Sequence, residues 1–285
     1  MSKESAVALI DSVSHARVLV VGDTIIDEYH FVTPLQRAAK EILIPMRFKH
    51  KEHFAGGVDA AAAHLATFCA KVDVASVGPS TRKVRFVDEN YLRKLAEVHY
   101  SDGNGGRPRP DMADYDCVIA ADFGHGEIKD ASEFSEAPYL AVSTQTNSAN
   151  RGFNLITKYP SADYIVIDEP EARLAAMDPD GHIEDVVHKL AHGRCDRFVV
   201  THGPHGAYGY DNGKFYHQKA MSTELVRDTI GAGDAFFAIT APMARNGSME
   251  DLLLIGCAAG AIKTGIVGHR ASVTKEALLE FIRTH

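Results

Sequence analysis

Residues 226–237 read VRDTIGAGDAFF, in which Asp228 and Asp234 bracket Gly231, Ala232 and Gly233. The glycines leave backbone N–H groups uncovered, and the residues that follow are apolar and helical in character. A glycine turn entering a helix N-terminus gathers unpaired donors at the positive end of the helix dipole, and so attracts phosphate. A carboxylate there is a poor phosphate ligand, because the charges repel. It suits another task, accepting a proton from a hydroxyl that attacks phosphorus while the backbone stabilises the transferring group. Asp234 is therefore the candidate base, and Gly231, Ala232 and Gly233 the candidate anion hole. The structural alternative is that Asp228 or Asp234 caps a helix and the glycines only make a tight turn.

Such residues need a scaffold. ARVLVVGDTIIDEYHFV is an apolar run ending in Gly-Asp, as expected of a central parallel strand with its functional loop at the carboxyl end. EILIPMRFKHKEHF partly alternates and contains Pro45, which suits an exposed or edge strand. GGVDAAAAHLATFCA opens an Ala-rich helix on a glycine pair, and KVDVASVG returns to strand, a βαβ rhythm. YDCVIAADFGHG and ADYIVIDEPEARLAAM repeat the pattern of strand into acidic or glycine turn. RCDRFVVTHGPHGAYGYDNGKFYHQ leads from a strand into a hairpin turning at DNG. Two helices follow, the first interrupted at Pro242, and TKEALLEFIRTH reads as a terminal helix with Thr274 as N-cap. Near residues 80 and 110 one strand-like segment runs straight into another, with no room for the crossover of about a dozen residues that parallel neighbours need. Something is expected to be missing there, through natural loss, deletion or absent residues. No repeat or low-complexity linker appears, so residues 1–285 are read as one α/β domain.

Composition narrows the partners. A formal charge of -8 argues against binding nucleic acid through phosphate neutralisation. No apolar run reaches membrane-spanning length, and the first residues lack a signal-peptide pattern, so a cytoplasmic protein is expected. Cys69, Cys117, Cys195 and Cys257 stand far apart and read as buried reduced thiols. None of the fifteen histidines sits in HExxH or at zinc-ligand spacing.

The string DTIGAGDAF is identified as the C-terminal signature of the ribokinase, or PfkB, family of sugar kinases, and the resemblance covers nearly the whole chain. Within that family the order of VLVVGDTIIDEY, AGGVDAAAAHLATF, AADFGHG and GIVGHRASVT is most similar to the heptose-7-phosphate kinases. The resemblance implies a three-layer α/β/α parallel-sheet core with a small β lid over the sugar, from segments near 28–55 and 83–101. It implies transfer of the ATP γ-phosphate to a sugar or sugar-phosphate hydroxyl, with Mg²⁺; many relatives also use a monovalent cation near the signature turn, which the sequence does not establish here. Asp27, Gly56 and Gly57 then hold the sugar, and Arg37 with Lys40 neutralises a substrate phosphate or is simply solvated. Asp168 and Glu171, in DEPE, organise the metal or merely cap a helix. Thr201, Gly203, Gly206 and Gly256 meet the nucleotide, unless the first three only open a hairpin. The lid strands offer an edge for a homodimer.

Several positions depart from the relatives. Residues 58–63 lack the usual sugar-contacting asparagine, His125 stands where the heptose kinases tend to have lysine, and STQTNSANRGFN replaces their Asp-Pro-Lys stretch. These departures leave open a kinase-fold protein that binds sugar or nucleotide without turnover.

Overall fold

The computed structural model describes all residues except 1–2, 37–40, 77–78, 105–106 and 222–225. After a first helix α1 (Lys3–Ser12), strand β1 (Arg17–Gly22) is buried from Val18 onward. It pairs in parallel on both sides, Val18 aligning with Val72 and with Cys117. Coverage on both faces explains why its residues are apolar without alternation.

The chain then leaves this sheet for β2 (Thr24–Pro34) and β3 (Met46–Gly57), returns through α2 (Val58–Leu65) to β4 (Lys71–Ala75), and leaves again for β5 (Pro79–Asp88) and β6 (Lys94–Asn104). It comes back at β7 (Cys117–Asp122) and continues through β8 (Leu140–Thr144), β9 (Tyr164–Asp168), α3 (Glu169–Ala176), α4 (Ile183–Ala191) and β10 (Arg197–Thr201). The hairpin β11 (Ala207–Asp211) and β12 (Lys214–Gln218) precedes α5 (Ala232–Thr240), α6 (Met249–Thr264) and α7 (Lys275–Thr284).

Two sheets result. The larger has the order β12-β11-β10-β9-β8-β7-β1-β4, parallel from β4 to β10 with an antiparallel hairpin at the far edge. The smaller has the order β3-β2-β5-β6, with β2 parallel to β5. Alternate residues of the same strands enter different cores: Val18, Val20 and Ile119 pack with α1, α2, α5, α6 and α7, whereas Leu19, Val21 and Val118 pack with α3 and α4. The core is thus three layers, α/β/α. Among the described residues no helix is long and apolar enough to cross a membrane.

The two short connections have a topological cause. β4 and β5 lie in different sheets, as do β6 and β7, so neither link has to make a crossover within one sheet. The links also meet each other, Ser76 and Arg107 exchanging backbone hydrogen bonds of 3.0 and 2.7 Å. Arg107 further donates to both carboxylate oxygens of Asp59 at 2.6 and 3.0 Å, and to Thr24 Oγ1 at 2.9 Å. Expectation and structure differ at Ile42–Pro45, which precede β3 rather than belonging to it. Pro242 ends α5 two residues ahead of itself, and Ala241–Met243 continue as a tighter turn.

Candidate active site

Gly231 opens α5 with φ of 77°, in the left-handed region. A Cβ there would also lie 2.9 Å from His269 Cε1 and 3.2 Å from Lys263 Cε, so both conformation and space demand glycine. No side chain caps this helix, and open space surrounds the position of a Cβ on Gly233. Asp234 follows in the first turn, partly exposed. Ala232 N donates to Thr229 O at 3.3 Å, so the N–H groups left for a ligand beside this carboxylate are those of Gly231 and Gly233.

The two aspartates separate cleanly. Asp228 is buried and accepts hydrogen bonds from Lys94 Nζ at 2.8 Å, Tyr29 hydroxyl at 3.2 Å, Ile230 N at 3.1 Å and Gly268 N at 2.9 Å. Burial alone would raise its carboxyl, but Lys94 and these backbone donors hold it below the usual range. It fastens the turn to β2, β6 and the 268 loop. Asp234 goes the other way: burial pushes its carboxyl up, against His269, Lys263 and Lys83, and Asp27 adds to the rise. A raised carboxyl is a stronger proton acceptor than a free aspartate.

Lys263, a lone lysine in apolar α6, is fully buried and donates to Ile230 O at 2.8 Å and Gly268 O at 2.7 Å. Burial lowers its ammonium, opposed by Asp228, Asp234 and Asp27.

The smaller sheet supplies the facing wall. Asp27, on β2, is ion-paired with Arg85 and lies 3.5 Å from His269 Nε2 through Oδ2. Burial opposes its charge, but His269 and Arg85 hold it below the usual range. Gly56 is packed so closely that a Cβ would meet Asp27 Oδ2 at 2.5 Å, and Gly57, with φ of 59°, lets β3 turn into α2 against Asp23 O. Asp27, Gly56, Gly57, Gly231 and Asp234 therefore belong to one neighbourhood. Arg37 and Lys40 lie outside the described residues.

Asp168 and Glu171 form a capping box at α3: Asp168 Oδ1 accepts from Glu171 N at 2.8 Å, and Glu171 Oε2 from Asp168 N at 3.0 Å. Glu171 Oε1 also accepts from Thr146 N at 2.8 Å. The capping alternative is therefore realised. Burial raises both carboxyls; the Glu169 charge adds to the rise at Asp168, and the Asp168 and Asp234 charges add to it at Glu171. Among the described residues no Lys or Arg pairs with either, and no three His, Cys, Asp or Glu side chains form a group able to hold a metal alone. An under-compensated pair of hard oxygens, with Asp168 exposed, fits a Mg²⁺ ion that takes its other ligands from water and phosphate.

Thr201 ends β10 in register with Asp168, and Gly203 sits exposed in the turn beyond it. Gly206 and Gly256 are packing positions. A Cβ on Gly206 would lie 2.0 Å from Gln218 O, and one on Gly256 2.4 Å from the Phe236 ring, where α6 crosses α5. Gly256 reaches Phe236 and not an open face.

Besides Lys263 and His269, sequence reasoning passed over Lys83, Arg85, His99 and Glu97. Register places Lys83 beside Asp27 on one side and His99 on the other. The only signal was alternation in TRKVRF, whose inward residues are Thr81, Lys83 and Arg85.

Residues 139–276 match the family model described as pfkB family carbohydrate kinase. The chain is 33% identical over 128 residues to a 2-dehydro-3-deoxygalactonokinase of Haloferax volcanii, covering 44% of this chain and 39% of that protein. It is 25% identical over 325 residues to the bifunctional protein HldE of Bradyrhizobium diazoefficiens, covering 94% of this chain and 63% of that protein. The chain thus spans less than two thirds of the length of these curated relatives. Since 325 aligned positions exceed the 285 residues here, the second relative carries insertions that this chain lacks. The structure of Arabidopsis thaliana ribokinase complexed with ribose and ATP matches with a TM-score of 0.71 at 16% identity, over 94% of this chain and 99% of that one. The fold is ribokinase-like.

Proposed function

We propose that this chain, whose residues 139–276 match the family model described as pfkB family carbohydrate kinase, is a kinase of that family and transfers the γ-phosphate of ATP to a hydroxyl of a sugar or sugar phosphate. The observation that carries this reading is Asp234 in the first turn of a helix with no side-chain cap, behind a left-handed glycine whose Cβ would crowd His269 and Lys263. In the transfer, the acceptor oxygen forms a bond to the γ-phosphorus, the bond from that phosphorus to the bridging oxygen of ADP breaks, and the acceptor proton passes to Asp234. Gly231 and Gly233 offer backbone N–H groups to the transferring group, and Ala232, whose N–H donates to Thr229 O, holds the turn between them. Asp27 accepts from sugar hydroxyls while Gly56 and Gly57 let the backbone come close. Thr201 and Gly203 line the nucleotide side.

Asp168 and Glu171 would hold Mg²⁺, Asp168 directly or through water and Glu171 from behind, and the ion would neutralise charge on the phosphates. Heptose 7-phosphate is the acceptor favoured by the sequence resemblance. The smaller sheet acts as the lid that excludes water. Its outer side carries exposed Phe48, Val98 and Tyr100, which suits burial against a second copy of the chain. Free cysteines, three of them buried, suit the reducing cytoplasm.

The test is a screen with ATP and Mg²⁺ against neutral sugars and sugar 1-, 6- and 7-phosphates, reading ADP release and phosphorylated product. Product from at least one acceptor is expected. Binding of ATP and sugar without any transfer would replace this reading by a binding-only one.

A further inference from the structure

Lys83, in the middle of β5, is only 6% exposed. Among the described residues its ammonium has no hydrogen-bond or ion-pair partner, although Asp27 and His99 flank it in the sheet. Two of the acids nearby are already engaged, Asp27 by Arg85 and His269, and Glu97 by Arg85 and His99; the third, Asp234, is the candidate base of the glycine turn. An ammonium on so buried a residue is partly desolvated, and an anion that reaches it restores the lost interaction.

A second unpartnered group faces the same space from another element. His125, in the loop after β7, has its Nε2 buried with no partner. Its ring centroid is 6.2 Å from that of His99, and Lys83 is near enough to help burial depress it to about 4. Its backbone N–H donates to Asp23 at 3.2 Å, which fixes the loop against the end of β1. These groups lie on the acceptor side: β5 neighbours Asp27, whereas Thr201 and Gly203 follow β10, three strands from β7.

We propose that Lys83, with His125 and His99 as further donors, forms a pocket for an anionic substituent of the acceptor, so that the preferred acceptor is a sugar phosphate or sugar acid rather than a neutral sugar. This rests on the kinase reading for the word acceptor, but not for the binding. Asp27 takes hydroxyl donors on one side of Lys83, and the ammonium takes the phosphate or carboxylate.

The experiment measures equilibrium binding without ATP, using three pairs: ribose with ribose 5-phosphate, fructose with fructose 6-phosphate, and glucose with gluconate. The phosphate and carboxylate arms separate the two sources of negative charge. At least one anionic sugar is expected to bind about tenfold or more tighter than its neutral partner, and Lys83→Gln to remove about 10- to 100-fold of that affinity while leaving the neutral sugar unchanged. Lys83→Arg keeps most of the preference, and His125→Asn loses a smaller part of it. Equal binding of neutral and anionic sugars by the wild type overturns the proposal, as does equal weakening of both by Lys83→Gln. Transfer to sugar phosphates or sugar acids with kcat and KM untouched by Lys83→Gln would leave the kinase reading standing and this one overturned. A Lys83-dependent anion preference without any transfer would do the reverse.

Discussion

His269 Nε2 lies 3.5 Å from Asp27 Oδ2. The same imidazole abuts Gly231, where a Cβ would approach its Cε1 to 2.9 Å. One ring therefore spaces the acid of the smaller sheet from the glycine turn of the larger domain core. Displacing it disturbs both halves of the site together.

Gly231→Ala tests that spacing. The left-handed backbone costs about 1–2 kcal/mol for a residue with a Cβ, and the methyl must also move His269 or Lys263. Displacements of about 1 Å cost on the order of 100-fold in rate, so kcat/KM should fall at least that far while the protein stays folded. Gly233→Ala, with open space around it, should change stability by less than about 1 kcal/mol. Thermal denaturation beside steady-state kinetics separates the two effects.

The pH profile follows from Asp234. Its carboxyl is raised by burial, and the acid form cannot take the acceptor proton, so activity is lost as pH falls through that raised value. His269 is the leading influence that favours the charged form. His269→Asn should therefore move the acidic limb of kcat/KM to higher pH. A limb that stays in place would remove Asp234 as the titrating base.

Stability has a separate acid dependence. His64 is buried and its Nδ1 accepts from Val273 N at 3.0 Å, and burial, with Lys263 and His269, pushes its imidazole down to about 3. A folded value below the ordinary 6.5 means that its contribution is present above pH 6.5 and lost as pH falls toward 3. The slope reaches up to about 1.4 kcal/mol per pH unit for one group. Urea midpoints at pH 7.5, 6, 5 and 4.5 should decline, and His64→Gln should flatten the decline above the carboxylate range.

Some of this was legible in the chain and some was not. Local chemistry was: Thr274 caps α7 through Ala277 N at 3.2 Å, and Asn212 and Gly213 turn the hairpin with φ of 48° and 89°. The glycine turn and the acids at strand ends were equally local. Asp168 with Glu171 shows the limit of such patterns, since one short string encodes both a capping box and a metal-ready acid pair. What escaped was made by distant approach. Arg85 meets Asp27 across 58 residues, and the parallel pairing of β2 with β5 sets Lys83 beside Asp27. Strand counting also assumed one sheet, so links that change sheets looked too short.

Gly256 offers a check on packing against recognition. A Cβ there would meet the Phe236 ring at 2.4 Å, so Gly256→Ala should destabilise by about 1–3 kcal/mol as overpacking does. Phe236→Leu in the same chain should restore part of that loss. ATP affinity of the folded variant should stay unchanged in calorimetry; a large loss would place Gly256 at the nucleotide.

The central claim is that Asp234 takes the proton from the acceptor hydroxyl. Single-turnover phosphoryl transfer by Asp234→Asn, run with the best acceptor from the screen, tests it most directly. The rate should fall by about 100- to 10,000-fold, with ATP and acceptor affinities preserved. Transfer at the wild-type rate would contradict the assignment.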